Sequence, residues 1–304
     1  MKNLDKYKGV IPAFYACYDK DGNVDPEGVK TLTRYFIEKG VKGLYVNGSS
    51  GECIYLTVKE RKDILEAVME EARGKLTVIA HVACNSTRES VELAKHAQDL
   101  GVDAIASIPP IYFKLPEAAI AKYWNDMSAA APDTDFIIYN IPQLAGVSLT
   151  IPLLKEMMKN ERLIGVKNSS MPTLDIETFK SVAGEDYVIF NGPDEQFISG
   201  RVMGAEAGIG GTYGAMPDLY LKLDDFVKNN EMEKAYALQA KLNNVIRKLC
   251  SSKGSMYAVI KAVLKLNEGF DIGGVRAPFI NLSDEDELVV KEAAAMINEL
   301  RQIF

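Results

Sequence analysis

A lysine that closes an apolar run, Leu163-Ile-Gly-Val-Lys167-Asn, is the first residue here whose setting invites chemistry. If the run is a buried strand, the lysine loses hydration and its ammonium is disfavoured. The neutral amine that results is a nucleophile toward a ketone. The other reading is a lysine whose stem lies along apolar surface while its head reaches solvent. A second run, Phe136-Ile-Ile-Tyr139-Asn-Ile-Pro142, carries a phenol near its end. That group can move protons at a reacting carbon, or it can be a core tyrosine whose hydroxyl finds a neighbour. In Tyr45-Val-Asn-Gly48-Ser49-Ser50-Gly51-Glu52 two glycines bracket two hydroxyls. Such a turn ahead of a helix suits a carboxylate, and it also fits a plain capped loop. In Phe190-Asn-Gly192-Pro-Asp194-Glu195 two adjacent carboxylates follow a run. They can accept hydrogen bonds from a polyol or complement a helix dipole.

Together these groups are complementary. A nucleophilic amine, an acid–base phenol and an anion cradle serve one reaction, imine chemistry on a keto acid. Other chemistries find no support. His81 and His96 are single residues without ligand spacing, so no metal is expected. Cys17, Cys53, Cys84 and Cys250 form no C-x-x-C pair. There is no nucleophile elbow and no Walker loop. The stretch Gly208-Ile-Gly-Gly211-Thr-Tyr-Gly214 lacks dinucleotide spacing; its glycines more readily admit close approach of backbone to substrate.

The elements that must position these residues are legible as alternating patterns. Strands are predicted near Val10–Ala16, Gly43–Val46, Leu76–Val82, Ala104–Ile108, Phe136–Ile141, Leu163–Lys167, Tyr187–Asn191 and Gly208–Tyr213. They are continuous apolar runs, as strands buried on both faces should be. Amphipathic helices are predicted over Glu27–Glu38, Val58–Ala72 and Thr87–Leu100, each behind a capping residue, Asp25, Thr57 or Ser86. Eight strands with intervening helices predict an α/β fold, the (β/α)8 barrel, in which reactive residues sit at the C-terminal strand ends. From about Asp224 the strand pattern stops, and Asn230–Cys250, Ser255–Leu266 and Ser283–Ile303 read as helices. The expected organisation is a barrel over residues 1–223 with a helical extension over 224–304.

The 304 residues are 47% hydrophobic and 25% charged, the balance of a globular chain able to bury a large core. A net charge of −7 disfavours nucleic acid and anionic membrane. An anionic substrate must therefore be gripped by local groups. No apolar run reaches ~18 residues and no signal core opens the chain, so a cytoplasmic location is expected.

Gly48-Ser-Ser-Gly-Glu52, Tyr139-Asn-Ile-Pro142 and Gly165-Val-Lys167, in this order, resemble the class I pyruvate lyases, the family typified by N-acetylneuraminate lyase and dihydrodipicolinate synthase. The resemblance runs through nearly the whole chain, helical tail included. It implies that Lys167 forms the Schiff base and Tyr139 transfers protons. It implies that Ser49 and Ser50 hold the keto-acid carboxylate, Ser49 also relaying a proton to Tyr139. Tyr112, in Pro109-Pro-Ile-Tyr112, resembles a catalytic tyrosine supplied across a subunit interface, which implies a tight dimer doubled to a homotetramer.

Synthase members carry an arginine two residues after the proline of the tyrosine motif; Leu144 stands there, with no cation near in sequence. Pro142 to Gly146 resembles the Pro-x-Leu-x-Gly of sialic acid lyases. Gly192-Pro-Asp194-Glu195 resembles their Gly-x-Asp-Glu, which would hold the sugar's hydroxyl tail. Ser169 falls where a threonine often contacts substrate. One departure stands out: the Gly-Ile-Gly-Ser of many lyases reads Gly208-Ile-Gly-Gly211, so the hydroxyl of one sugar contact is missing. The implied activity is reversible retro-aldol cleavage of N-acetylneuraminate through a Schiff base on Lys167, with no other cofactor. The alternatives are an aldolase for another 2-keto-3-deoxy sugar acid, a synthase-like enzyme, and a non-catalytic sensor of keto acids or sugars.

Overall fold

The computed structural model describes residues 4–304. Its strands are β1 Val10–Pro12, β2 Gly43–Val46, β3 Thr77–His81, β4 Ala104–Ser107, β5 Asp135–Asn140, β6 Leu163–Asn168, β7 Val188–Asn191 and β8 Ala207–Gly210. Its α-helices are α1 Pro26–Lys39, α2 Val58–Ala72, α3 Thr87–Asp99, α4 Glu117–Ala130, α5 Pro142–Ala145, α6 Ile151–Met157, α7 Leu174–Ala183, α8 Phe197–Val202, α9 Pro217–Lys228, α10 Met232–Leu249, α11 Met256–Glu268 and α12 Glu287–Ile303. The sheet order is β1-β8-β7-β6-β5-β4-β3-β2, with parallel pairing throughout β2 to β8. Lys42 N donates to Val10 O (2.9 Å), linking the first strand to the start of the second. This is the (β/α)8 barrel fold, followed by a C-terminal helical segment.

The predicted first strand, Val10–Ala16, pairs only over Val10–Pro12. Phe14, Tyr15, Ala16 and Cys17 are fully buried, so their apolar character reflects packing rather than pairing. The predicted strand Gly208–Tyr213 likewise stops at Gly210, and Tyr213–Ala215 turns into a short 3-10 helix. The three capping predictions hold. Asp25 accepts from Glu27 N behind Pro26, Ser86 accepts from Glu89 N, and Thr57 and Glu60 cap each other reciprocally.

The chain divides into two compact units. The first takes in the N-terminal segment through Ile11, Lys42–Val46 and Leu76–Ile209. Its core is the strand set itself: Ile79, Ile105, Phe136, Ile137, Leu163, Ile164 and Val188 are all inaccessible to solvent. The second takes in Pro12–Val41, Asn47–Lys75 and Gly210–Phe304. Its core is a helical stripe in which Leu238, Leu242, Val245 and Leu249 recur along α10, with Val259 and Val263 of α11 and Ile297 of α12. Arg301 grips Asp218 through two bonds (2.8 and 3.1 Å) and Glu268 through a third (2.7 Å). The expected division between residues 223 and 224 falls inside α9. Among the described residues no helix is long and apolar enough to cross a membrane.

Candidate active site

Every residue of β6 is buried, Lys167 included at 4% exposure. Its side chain therefore does not run out to solvent. In register, Lys167 lies beside Tyr139 of β5 on one flank and Phe190 of β7 on the other. Its Nζ stands 3.9 Å from the Tyr139 ring centroid and 4.2 Å from that of Tyr45 at the end of β2. The two rings meet edge-on, 5.7 Å apart at 79°, and His81 closes on both at 6.1 Å. Removal from water penalises an ammonium, while ring faces attract a cation. Such a pocket suits a nitrogen that is a neutral nucleophile at one stage and an iminium at the next.

β6 reaches this position because of a glycine. A Cβ on Gly165 would lie 2.0 Å from Val188 O, so only glycine allows β6 and β7 to pair two residues before the lysine. Past the strand ends a polar ladder sets the rim. Asn140 Nδ2 donates to Asn168 Oδ1 (2.7 Å), Asn168 Nδ2 to Ser170 Oγ (2.9 Å), and Ser170 Oγ to Asp175 (2.6 Å). Gln143 holds the carbonyl of Ser169 (2.6 Å). Ser169 is buried, and a Cβ on Gly192 would lie 2.0 Å from its Oγ, so those two predicted residues adjoin. The two predicted carboxylates part company: Asp194 is buried and Glu195 exposed. Tyr112 sits at φ +84° on an exposed turn, 89% accessible, against the edge of Phe113 (4.9 Å).

The second unit holds the hydroxyl loop. Ser49–Gly51 form a 3-10 turn between two residues in the left-handed region, Asn47 (φ 60°) and Glu52 (φ 55°). Non-glycine residues rarely adopt that conformation unless their surroundings impose it, and here they do. Asn47 Nδ2 donates to Arg61 O (2.8 Å). The Glu52 carboxylate accepts from Lys261 Nζ (3.0 Å) with one oxygen and from Arg276 N (2.8 Å) with the other. The Lys261 and Glu52 side chains are 1% and 0% exposed. Burial pushes the Lys261 ammonium below its ordinary range, and Glu52 opposes that shift. The N–H groups of Gly51, Glu52 and Cys53 are spent closing the turn. Ser50 is buried and its Oγ donates to Tyr257 Oη (3.2 Å). Gly211 adjoins it: a Cβ there would lie 3.0 Å from Ser50 Oγ.

Within the first unit the structure thus gathers Lys167 and Tyr139, and separately Ser169 and Gly192. Within the second it gathers Ser50 and Gly211. Sequence reasoning passed over Tyr45 and His81 as neighbours of the lysine. The available signal was that Tyr45 and His81 each stand one residue before the end of a predicted apolar run. It also passed over Tyr257 and the Glu52–Lys261 pair, whose members are 209 residues apart. Among the described residues no cluster of histidine, cysteine or carboxylate side chains is arranged to hold a metal ion.

Residues 6–297 match the dihydrodipicolinate synthetase family. The chain is 66% identical over 304 residues to the N-acetylneuraminate lyase of Mediterraneibacter gnavus, covering all of this chain and 96% of that one. It is 36% identical over 294 residues to N-acetylneuraminate lyase 2 of Escherichia coli O6:H1, covering 97% and 95%. Among solved structures it resembles a catalytic lysine mutant of Ruminococcus gnavus sialic acid aldolase, with a TM-score of 0.99, 66% identity and full coverage of both chains. It also resembles CdNal from Clostridium difficile in complex with mannosamine, with a TM-score of 0.90 and 31% identity over 95% of this chain and 98% of that one.

Proposed function

From the fact that this chain belongs to the dihydrodipicolinate synthetase family, we infer that it cleaves N-acetylneuraminate reversibly to pyruvate and N-acetylmannosamine. One observation carries the reading to this chain's own residues. Lys167 is buried between the rings of Tyr139 and Tyr45, on a chain 66% identical over its whole length to a lyase of that name.

In this reading the Lys167 amine adds to the ketone carbon of the open-chain acid and water leaves, one proton being taken up from solvent, giving a protonated imine. Tyr139 takes the proton of the C4 hydroxyl as it passes its own phenolic proton to the substrate carboxylate, directly or through Ser49. The C3–C4 bond then breaks, its electron pair moving into the imine to form an enamine, and N-acetylmannosamine departs as the aldehyde. Protonation of the enamine and hydrolysis return pyruvate and the free amine. The imine is the electron sink, so no other cofactor is required. The Tyr45 and Tyr139 ring faces favour the cationic imine over a neutral one.

Ser49 and Ser50 hold the carboxylate in this scheme, an assignment that rests on the Gly48–Glu52 motif. Ser169, Gly192, Asp194, Glu195 and Gly211 are assigned to the sugar's hydroxyl tail on the same ground. Leu144, 64% exposed, offers no cation for a second carboxylate, which favours the lyase over the synthase. Tyr112 and Phe113, 89% and 72% exposed, are apolar surface of the kind subunit interfaces cover, and support a dimer doubled to a tetramer in which Tyr112 reaches a neighbour's site. Cys17, Cys53, Cys84 and Cys250 form no disulfide, which accords with a reducing cytoplasm.

The test is mass spectrometry after borohydride reduction in the presence of pyruvate, together with an assay of pyruvate release from N-acetylneuraminate. An adduct on Lys167 and pyruvate release are expected. Failure to form the adduct refutes the mechanism, and cleavage only of shorter 2-keto-3-deoxy acids refutes the substrate.

A further inference from the structure

Gly211 follows β8, and its backbone lies outside the left-handed region, so conformation does not require a glycine there. What its missing side chain allows is a close approach of its backbone to two hydroxyls. A Cβ would lie 3.0 Å from Ser50 Oγ and 3.6 Å from Tyr257 Oη. The Gly211 carbonyl accepts from Tyr15 Oη (2.6 Å), which fixes the backbone beside Ser50. Tyr257 enters from the first turn of α11, where Ser255 caps its N–H. Its ring is flanked by Tyr15 (6.3 Å) and Phe279 (6.1 Å), and it meets Ser50 hydroxyl to hydroxyl.

We propose that Tyr257, reaching in from the C-terminal helices, is the positioning residue for Ser50. The proposal rests on the reading of Ser50 as a holder of the 2-keto acid's carboxylate. A serine hydroxyl has one proton to give. In the free protein Ser50 gives it to Tyr257. To hold a carboxylate it must turn that proton to the anion, and its partner must change from acceptor to donor. A phenol can make that exchange; a carbonyl or a phenylalanine ring cannot. With the carboxylate present, Tyr257 donates to Ser50 Oγ while Ser50 donates outward, a chain of two aligned hydroxyls ending on the anion.

The experiment compares Tyr257→Phe alone and combined with Gly211→Ser or Gly211→Ala. Two readouts are taken: the pyruvate concentration that half-saturates borohydride trapping on Lys167, and the calorimetric Kd for pyruvate in a Lys167→Ala background, which needs no imine. Tyr257→Phe is expected to raise both about three- to tenfold, the worth of one neutral hydrogen bond, with maximal trapping unchanged. Gly211→Ser added to it restores both to within about twofold, because it returns a hydroxyl beside Ser50, and Gly211→Ala does not. An unchanged Tyr257→Phe overturns the proposal, as does restoration by both second substitutions or by neither. Failure of the wild-type chain to cleave N-acetylneuraminate removes the sugar assignment alone. A missing adduct removes the imine, and the calorimetric comparison still decides the role of Tyr257.

Discussion

Lys167 and Tyr139 are neighbours in the β5–β6 register, and the lysine nitrogen lies over the tyrosine ring. That arrangement separates their roles experimentally. Lys167→Ala is expected to abolish pyruvate release, with no borohydride adduct. Tyr139→Phe keeps the ring and loses the phenol. It should lower kcat by about 10²–10⁴, the usual worth of a general acid–base, while the pyruvate adduct on Lys167 still forms. An adduct lost together with kcat would place Tyr139 in imine formation instead. These two residues were legible because each ends an apolar run, where a polar group is out of keeping. Tyr45 stands one residue before the end of such a run, but one more aromatic among buried strands carries no mark of its own. Only the ring geometry reveals that it faces the amine. Asp194 and Glu195 are adjacent and chemically alike, and nothing in the sequence separates the buried one from the exposed one.

Elements hold these residues by constraints that substitutions can probe. The close approach of Gly165 to Val188 O leaves no room for a methyl group. Gly165→Ala should force β6 and β7 apart and cost about 3–5 kcal/mol, at the high end for single substitutions, read as a shift in the urea midpoint. Little change in midpoint would mean the strands pair with slack. Glu52 and Lys261 form an ion pair sealed from water. Removing one member strands a buried charge, so Glu52→Gln should cost about 3–5 kcal/mol. Replacing both, as Glu52→Gln with Lys261→Met, should recover much of the stability but leave the half-saturating pyruvate concentration raised, because position 52 at φ 55° then keeps the Arg276 N–H but loses the Lys261 ammonium. Full recovery of both quantities would show that the pair serves stability alone. Strand periodicity and capping residues were readable at this scale because they depend on neighbours in sequence. The Glu52–Lys261 pair was not, because a long-range partner leaves no local periodicity.

For the molecule as a whole, burial has a pH signature. It pushes the Cys17 thiol up to about 12, the Lys261 ammonium drawing it down and Asp25 and Glu52 pushing further up. In the unfolded chain a thiol titrates near ~8.5. Above that pH the unfolded chain sheds a proton that the native one keeps. The contribution of this group to stability is therefore full below about pH 8.5 and is lost as pH rises toward 12. Tm should fall less steeply between pH 9 and 11 in Cys17→Ala than in the wild type; parallel curves would refute this. At pH 8, iodoacetamide should modify exposed Cys250 and spare Cys17. The fold class was readable from eight runs and their spacing. The grouping of α1 and α2 with the C-terminal helices was not, since it depends on which faces bury one another. The lock on Glu52 carries a consequence for synthesis. A nascent chain displays its serine turn early, yet the cation that fastens the turn arrives more than two hundred residues later on α11. A ribosome must deliver almost the entire polypeptide before that turn is secured, so premature termination between Lys167 and Lys261 yields a product that carries the buried lysine of β6 but lacks the cation that fastens Glu52.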